Sequence, residues 1–383
     1  MRIGIDCRKI YDVNKNSGAG VERYTYHFVK NLLKKDQDND YVLFFYSDIS
    51  PETIHKLKGN NPRVRIVKFI RSESRVPFFD THLKIVRLLN KHKFDYTIFP
   101  SGSIPIFYRG SSVLVVHDLA IYLHPEWFPD KQWFSTKVVV PRSIRKAKKI
   151  VAVSENTKKD IIKIFKTRED KITTIYPGIV VKDDYLDSEI EQVKKKYDIK
   201  NDYVLFIGTI EPRKNVTNLI KAFSNYIFET DSKLNLVLAG VKGWKFQKIF
   251  EKVNDMNNRL SGSQIKYIGQ VSNRERNILL KNCEVFVFPS QYEGFGFPVL
   301  EAMALHAPVI TGNNSSLAEI SGEGANLIDT SDIKEIKNAI NDVVNNVHVR
   351  QALKRKGYEQ SVLFTWERMV TQFIELLNKA KQG

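Results

Sequence analysis

One pattern constrains the fold above all others. Short apolar runs, bounded by polar turns, alternate with helix-patterned stretches along almost the whole chain. Runs this short read as buried strands. Strands that alternate with helices pair in parallel, because each helix supplies the crossover. In the first half the runs are Ile3–Asp6, Tyr41–Tyr46, Val64–Lys68, Tyr96–Phe99, Val113–Val116 and Ile150–Val153. Between the first two, the stretch Tyr24–Leu33 places Tyr24, Phe28 and Leu32 on one helical face. The pattern restarts with Tyr203–Ile207, Leu234–Ala239, Ile265–Ile268, Val285–Phe288 and Val309–Thr311. At 383 residues the chain exceeds one ordinary core. The expectation is α/β architecture with two doubly wound domains, whose strand carboxyl ends line a ligand cleft. A polar stretch at Asp183–Glu189 sets the boundary near residues 185–200, giving domains at 1–190 and 191–360 and a helical segment at 361–383.

Charge and cysteine content narrow the function classes. Lys and Arg interrupt every apolar run, so no transmembrane span is expected. The sequence enters its first strand directly after Met1, which reads as no leader and a cytoplasmic location. Only Cys7 and Cys283 are present, both in strand-like runs, which argues against a disulfide framework or a cysteine metal site. Net charge is +17, and residues 51–149 hold 19 Lys or Arg against 7 Asp or Glu. Such a patch fits an anionic partner, or simply a lysine-rich surface. Its sharpest feature is the amphipathic stretch Phe78–Asn90, with Phe79, Leu83 and Val86 apolar and Lys84, Arg87, Lys91 and Lys93 basic. It reads either as an acceptor or anionic-membrane face or as an ordinary surface helix.

The chemistry concentrates in the second half. After the strand-like run Cys283–Pro289 comes Ser290-Gln-Tyr-Glu-Gly-Phe-Gly-Phe-Pro-Val-Leu-Glu301, which enters a helical segment at Pro298–Leu305 with proline at its first position. A strand, a glycine turn and a helix N-terminus can accept a phosphate on backbone N–H groups. Glu293 and Glu301 beside it suit hydroxyl groups, since a carboxylate accepts strong charge-assisted hydrogen bonds. After the first strand of this half, Gly208-Thr-Ile-Glu-Pro-Arg-Lys-Asn215 sets Arg213 and Lys214 at another helix start, where two cations would neutralise a departing diphosphate. In the first half, Ser17-Gly-Ala-Gly-Val-Glu-Arg-Tyr24 is a glycine-rich turn following Arg8, and His117-Asp118 ends a strand. Ser154 reads as a helix cap and Tyr176-Pro-Gly178 as a turn. Asp36-Gln-Asp38 has the Asp-x-Asp form of a metal site, but no strand ends at it, and it reads as a solvated loop.

Glu293 and Glu301, with seven residues between them that include Gly-Phe-Gly-Phe-Pro, resemble the E-x7-E signature of retaining glycosyltransferases of family 4, which have the GT-B fold of two Rossmann-like domains. The Gly208…Arg213-Lys214-Asn215 string is similar to a second family motif. The resemblance implies that Glu301 holds a nucleotide ribose and Glu293 the sugar hydroxyls. It assigns the backbone of Gly294, Phe295, Gly296 and Phe297 to sugar and phosphate, and Gly208, Arg213 and Lys214 to the diphosphate. Ile268 and Val271 would meet the base, Gly20 would close over the donor phosphate, and His117 would contact the transferred sugar. His117, Arg213, Lys214 and Glu293 are thus the implied catalytic set. Glu22 departs from the family loop, which has glycine there. The last helix, Thr365–Lys379 with Trp366, Met369, Phe373 and Leu376 or Leu377 on one side, would return to the first domain near Phe364-Thr-Trp366.

The implied reaction moves a hexose from a nucleotide diphosphate sugar to an acceptor hydroxyl with retention, without cofactor or metal. Asn313-Asn-Ser-Ser-Leu317 resembles the corresponding loop of bacterial polysaccharide mannosyltransferases, tilting the donor toward GDP-mannose over a UDP-sugar and the acceptor toward a lipid-linked or oligosaccharide one. Two rivals stand beside it. A nucleotide-sugar epimerase on the same architecture would release free nucleotide without an acceptor. A nucleic-acid-binding protein would interleave exposed aromatics with its basic residues, whereas here the aromatics fall on strand and core positions.

Overall fold

The computed structural model describes residues 1–15, 18, 20–70, 79–129, 133–260 and 264–382. They form two compact units: Met1–Pro125 with Pro129–Gly178 and Phe364–Gly383, and Glu126–Phe128 with Ile179–Leu363. The division after Gly178 falls ahead of the polar stretch because that stretch is tied to the second unit. Glu189 accepts from Arg274 Nε at 2.6 Å, and Tyr185 donates its hydroxyl to the Asn277 carbonyl.

In the first unit, β1 (Arg2–Asp6), β2 (Asp40–Tyr46), β3 (Val64–Phe69), β4 (Tyr96–Phe99), β5 (Ser112–Val116), β6 (Lys149–Ala152) and β7 (Ile172–Thr174) make a parallel sheet in the order β3-β2-β1-β4-β5-β6-β7. In the second, β8 (Tyr203–Ile207), β9 (Asn235–Ala239), β10 (Ile265–Gly269), β11 (Val285–Phe288), β12 (Val309–Gly312) and β13 (Ala325–Ile328) pair in parallel in the order β10-β9-β8-β11-β12-β13. The central strands β5, β8, β9 and β11 are buried along their whole length, which is why each reads as an unbroken apolar run. The edge strands β7 and β13 were not expected. Ile172-Thr-Thr174 and Ala325-Asn-Leu-Ile328 are short and partly polar, so they carry no such run. In both sheets the strand order reverses once, between β1 and β4 and between β8 and β11, while the strands stay parallel. Beyond the carboxyl ends at such a reversal, neighbouring loops splay apart and leave a crevice.

The chain ends in the helix Trp366–Gln382, which belongs to the first unit. Phe373 packs on Phe28 with ring centroids 4.7 Å apart, and Trp366 lies against Tyr24 and His27 at 5.6 Å. Tyr96 donates its hydroxyl to the Ala380 carbonyl at 2.6 Å. Gly178 is required where this segment crosses, because a Cβ there would sit 2.7 Å from Trp366 Cα. Cys7 and Cys283 flank strands rather than lie in them, and both are buried free thiols. Among the described residues no helix is long and apolar enough to cross a membrane.

Candidate functional site

The second unit brings its sequence-predicted residues to the reversal between β8 and β11. Arg213 and Lys214 form a short 3-10 turn shortly after β8, starting at Pro212 and ending at Asn215, whose left-handed φ of 57° swings the chain into the helix Val216–Thr230. Glu293 lies in the loop after β11. The two loops are joined through their backbones: Gln291 N–H donates to the Arg213 carbonyl at 2.9 Å, and Arg213 Nη1 donates to the Tyr292 carbonyl at 3.0 Å.

The charged groups pair directly. Lys214 Nζ donates to Glu293 Oε1, Arg213 Nη1 to Glu293 Oε2 at 3.2 Å, and Ser290 Oγ to Glu293 Oε1 at 2.6 Å. Arg213 also forks onto Glu211, at 3.2 Å from Nε and 3.1 Å from Nη2. Burial alone would raise the Glu293 carboxyl, but Arg213 and Lys214 outweigh it and hold the group below the ordinary carboxylate range. Burial and the charge of Arg213 push the Lys214 ammonium down, and burial pushes Glu211 up. The result is a buried cluster of two cations and two acids. Glu211, which the sequence reading passed over, is 2% exposed, and its signal was its place two residues before Arg213.

The signature loop is clamped from the helix Ser315–Ser321. Ser315 Oγ accepts from Glu293 N–H at 3.0 Å, while the single hydroxyl proton of Ser316 is shared between the Glu293 and Phe295 carbonyls, at 2.9 and 2.8 Å from Oγ. Ser315 itself holds φ at 47°, a region that costs a non-glycine residue ~1–3 kcal/mol. Gly296 caps the next helix, Phe297–Ala304, at φ 111°, and a Cβ there would lie 2.8 Å from Ile320 and 2.9 Å from Leu317. That helix begins at Phe297, so Pro298 is its second residue rather than its first. Glu301 consequently lies in the second turn, not the first. It is 3% exposed and pairs with Arg276 Nη1 at 3.2 Å, a partner the sequence reading did not name.

Gly208 and Gly240 let two strand ends touch. A Cβ on Gly240, whose φ is 137°, would collide with the Gly208 carbonyl. Ile268 lies in β10 at a register shift, beside Gly269 with φ 75°, and Val271 follows just before the Ser272 cap of the helix Asn273–Lys281.

In the first unit, the helix after β1 spans Gly20–Lys35, so Gly20 is its first residue rather than part of a loop, and a Cβ on it would meet nothing. The close approach is at Gly18, where a Cβ would lie 2.7 Å from the Tyr11 ring. Ser17 and Ala19 of this motif lie outside the described residues. Glu22 falls in the first helical turn, where its charge complements the helix dipole. His117, at the end of β5, bonds the Pro100 carbonyl through Nε2 at 2.7 Å and packs edge-on against Tyr24 at 4.7 Å. Burial pushes its ring down, so it is neutral near pH 7, and the carbonyl requires the proton on Nε2. Nδ1 is left as an acceptor. Asp118 is exposed, and its carboxylate accepts from Ala120 N–H as a turn cap. Arg8 pairs with Asp6 at 2.7 Å. Asp36 is not solvated as expected. It is 4% exposed and accepts from Tyr41 and Asn39, both at 2.6 Å, which ties down the turn before β2.

The basic amphipathic stretch divides otherwise than expected. Phe78 lies outside the described residues. Ile85, Val86 and Leu89 are buried in the core, Lys84 donates to the Ile70 carbonyl, and the exposed side chains here include Arg87 and Lys91. Of the expected apolar side, Val86 is covered and Leu83 is half-buried, while Arg87 and Lys91 present their charge to solvent.

The chain matches the family model for group 1 glycosyl transferases over residues 187–360 and that for Glycosyltransferase Family 4 over residues 18–183. It is 29% identical to O-antigen chain mannosyltransferase B of Escherichia coli, over 93% of this chain and 95% of that one. It is 25% identical to the serotype-specific mannosyltransferase WbdA of the same species over 92% of this chain, but spans only 43% of that longer protein. Among solved structures, Anabaena HepE in complex with UDP and glucose superposes with a TM-score of 0.75 at 18% identity, covering 99% of both chains. WaaG, a glycosyltransferase involved in lipopolysaccharide biosynthesis, gives 0.71 at 12%, covering 98% of this chain and 99% of that one.

Proposed function

The chain belongs to the family 4 glycosyltransferases of GT-B fold, and on that premise we propose that it transfers mannose from GDP-mannose to an acceptor hydroxyl with retention. The observation that carries the reading is the buried Arg213–Lys214–Glu293 cluster at the β8–β11 reversal. Fixed, desolvated cations there neutralise charge as it builds on a departing diphosphate, without reorganising during the reaction.

The bond from the sugar C1 to the β-phosphate oxygen breaks as a bond from C1 to the acceptor oxygen forms on the same face. The acceptor proton passes to the departing phosphate oxygen. Arg213 and Lys214 take up the charge of the leaving group, so this step calls on no metal. Glu293 holds the two cations in place before the donor arrives, and its carboxylate faces the sugar hydroxyls in the complex. Gly294, Phe295, Gly296 and Phe297 offer backbone to sugar and phosphate, and Ser315 and Ser316 fix that backbone. Glu301 holds the ribose, Ile268 and Val271 border the base, and Gly208 lets the diphosphate approach. Gly20 and its neighbours adjoin the donor phosphate. His117 accepts a hydrogen bond from a sugar hydroxyl at Nδ1.

Mannose and GDP are chosen because O-antigen mannosyltransferases are among the relatives. The proposed acceptor is a lipid-linked or oligosaccharide one in polysaccharide synthesis at the cytoplasmic face; the O-antigen activity named for the relatives supports the polysaccharide part of that reading. Contact with an anionic membrane there would run through the charge of Arg87, Lys91 and, more weakly, Lys84. The test is thermal stabilisation by GDP-, UDP-, ADP- and dTDP-sugars in EDTA, since a ligand of the folded state raises its apparent stability. NMR of the product anomer follows. Stabilisation by GDP-mannose and an α-linked product are expected. Stabilisation only by another nucleotide, a requirement for metal or an inverted product would each remove the corresponding part of the reading.

A further inference from the structure

The pairing of Arg276 with Glu301 is absent from the family signature, and both side chains are buried, at 10% and 4% exposure. Arg276 is the fourth residue of the helix Asn273–Lys281, which Ser272 and Glu275 start with reciprocal cap hydrogen bonds. Its guanidinium is held on two sides. Nη1 meets Glu301 Oε2 at 3.2 Å, while Nε and Nη2 donate to Asn277 Oδ1 at 3.3 and 3.1 Å. The Asn277 amide is fixed in turn, because its Nδ2 donates to the Lys182 carbonyl at 3.0 Å. That bond decides which end of the amide faces Arg276. An unbroken relay therefore runs from the backbone at Lys182 through Asn277 and Arg276 to Glu301, all within the second unit.

The physical need for such a relay is plain. A carboxylate with 4% exposure is costly to keep ionised without a partner, and a flexible one makes a poor acceptor for two adjacent hydroxyls. The planar guanidinium fork supplies both charge and direction, which a lysine point charge does not. From this relay we infer that Arg276 is a positioning residue for nucleotide recognition: it keeps Glu301 ionised and in one orientation, so that discrimination for the ribose hydroxyls depends on it. The inference rests on Glu301 being the ribose acceptor.

The experiment measures the Kd of GDP and UDP, and of their 2′-deoxy and 3′-deoxy counterparts, by titration calorimetry. It compares the intact protein with the variants Glu301→Gln, Arg276→Met, Arg276→Lys and the double variant Arg276→Met/Glu301→Gln. The intact protein should bind a ribonucleotide at least tenfold more tightly than its deoxy counterpart. Arg276→Met should bring that ratio close to one while leaving the deoxynucleotide Kd within about threefold. Arg276→Lys should give an intermediate ratio. The double variant should match Glu301→Gln in ratio.

A residue that merely props up the fold would weaken both nucleotides together, and that outcome overturns the inference. So does an undiminished ratio in Arg276→Met. If Arg276→Met does not fold, Arg276→Lys decides alone, with an undiminished ratio against the inference and a reduced one for it. The premise fails separately. If the intact protein itself does not discriminate and Glu301→Gln binds as it does, the ribose role of Glu301 falls, and the inference falls with it.

Discussion

The replacement Glu293→Gln tests the site at its centre. It keeps the shape and one acceptor oxygen for Ser290, but removes the carboxylate that Lys214 and Arg213 share. Lys214, with only 10% of its side chain exposed, would then keep a like-charged neighbour and lose its short contact. Breaking a buried ion pair by removing one partner costs about 3–5 kcal/mol, and the lower end applies because the amide is retained. For a unit of this size, about 3 kcal/mol corresponds to a fall in Tm of about 6–12 °C, read by differential scanning calorimetry of the ligand-free protein. The pH dependence gives an independent check. The folded-state carboxyl of Glu293 is depressed, so its contribution is present above its unfolded pKa of about 4.3 and is lost as pH falls through the folded value. The gap between the two proteins should be full at pH 7 and should close in acid. The double variant Lys214→Met/Glu293→Gln should cost less than the sum of its parts, since neither charge is then left alone. Pyrophosphate should bind Glu293→Gln more tightly than the intact protein, because no carboxylate competes for the cations, although transfer is lost. A Tm within about 1 °C of the intact protein, or additive costs, would refute the reasoning.

Further expectations follow from single contacts. Gly296→Ala forces a Cβ onto a backbone at φ 111° and against Leu317 and Ile320; it should cost at least ~1–3 kcal/mol in denaturant unfolding, and an unchanged midpoint would contradict the geometry. Ser316→Ala deletes the hydroxyl proton shared between two carbonyls of the signature loop, worth about 0.5–1.5 kcal/mol, and should raise the donor KM before it lowers kcat. Burial pushes His82 down to about 4, so its folded form resists the proton that the unfolded chain takes up near pH 6.5. Stability of the first unit should therefore decline as pH falls from about 6.5 toward about 4, and His82→Gln should flatten that stretch of a melt-versus-pH curve. Arg213→Lys should cut kcat by at least about tenfold despite retaining the charge, because a lysine cannot fork onto Glu211 while holding Glu293.

The sequence by itself determined the two-sheet α/β plan, because strands buried on both faces must be written as unbroken apolar runs. The signature loop, the Gly208–Asn215 turn and the helix behind Trp366 were legible for a similar reason: each packs several unusual requirements into adjacent residues. What the sequence could not show were pairings between residues far apart in it. The strands β7 and β13 take shape only because a neighbouring strand supplies their hydrogen bonds. Arg276 sits on a capped helix that looks like any other until that helix packs on Phe297–Ala304 and sets it against Glu301. Glu211, Ser315 and Ser316 are small or ordinary residues whose roles arise from where the loops meet. The Phe78–Asn90 stretch shows the converse, since its apolar pattern was plain but only the packed core revealed that Val86 is buried. Local requirements can be read from neighbouring letters. The ionisation, orientation and partners of buried charged groups depend on long-range packing, and only the tertiary structure decided them.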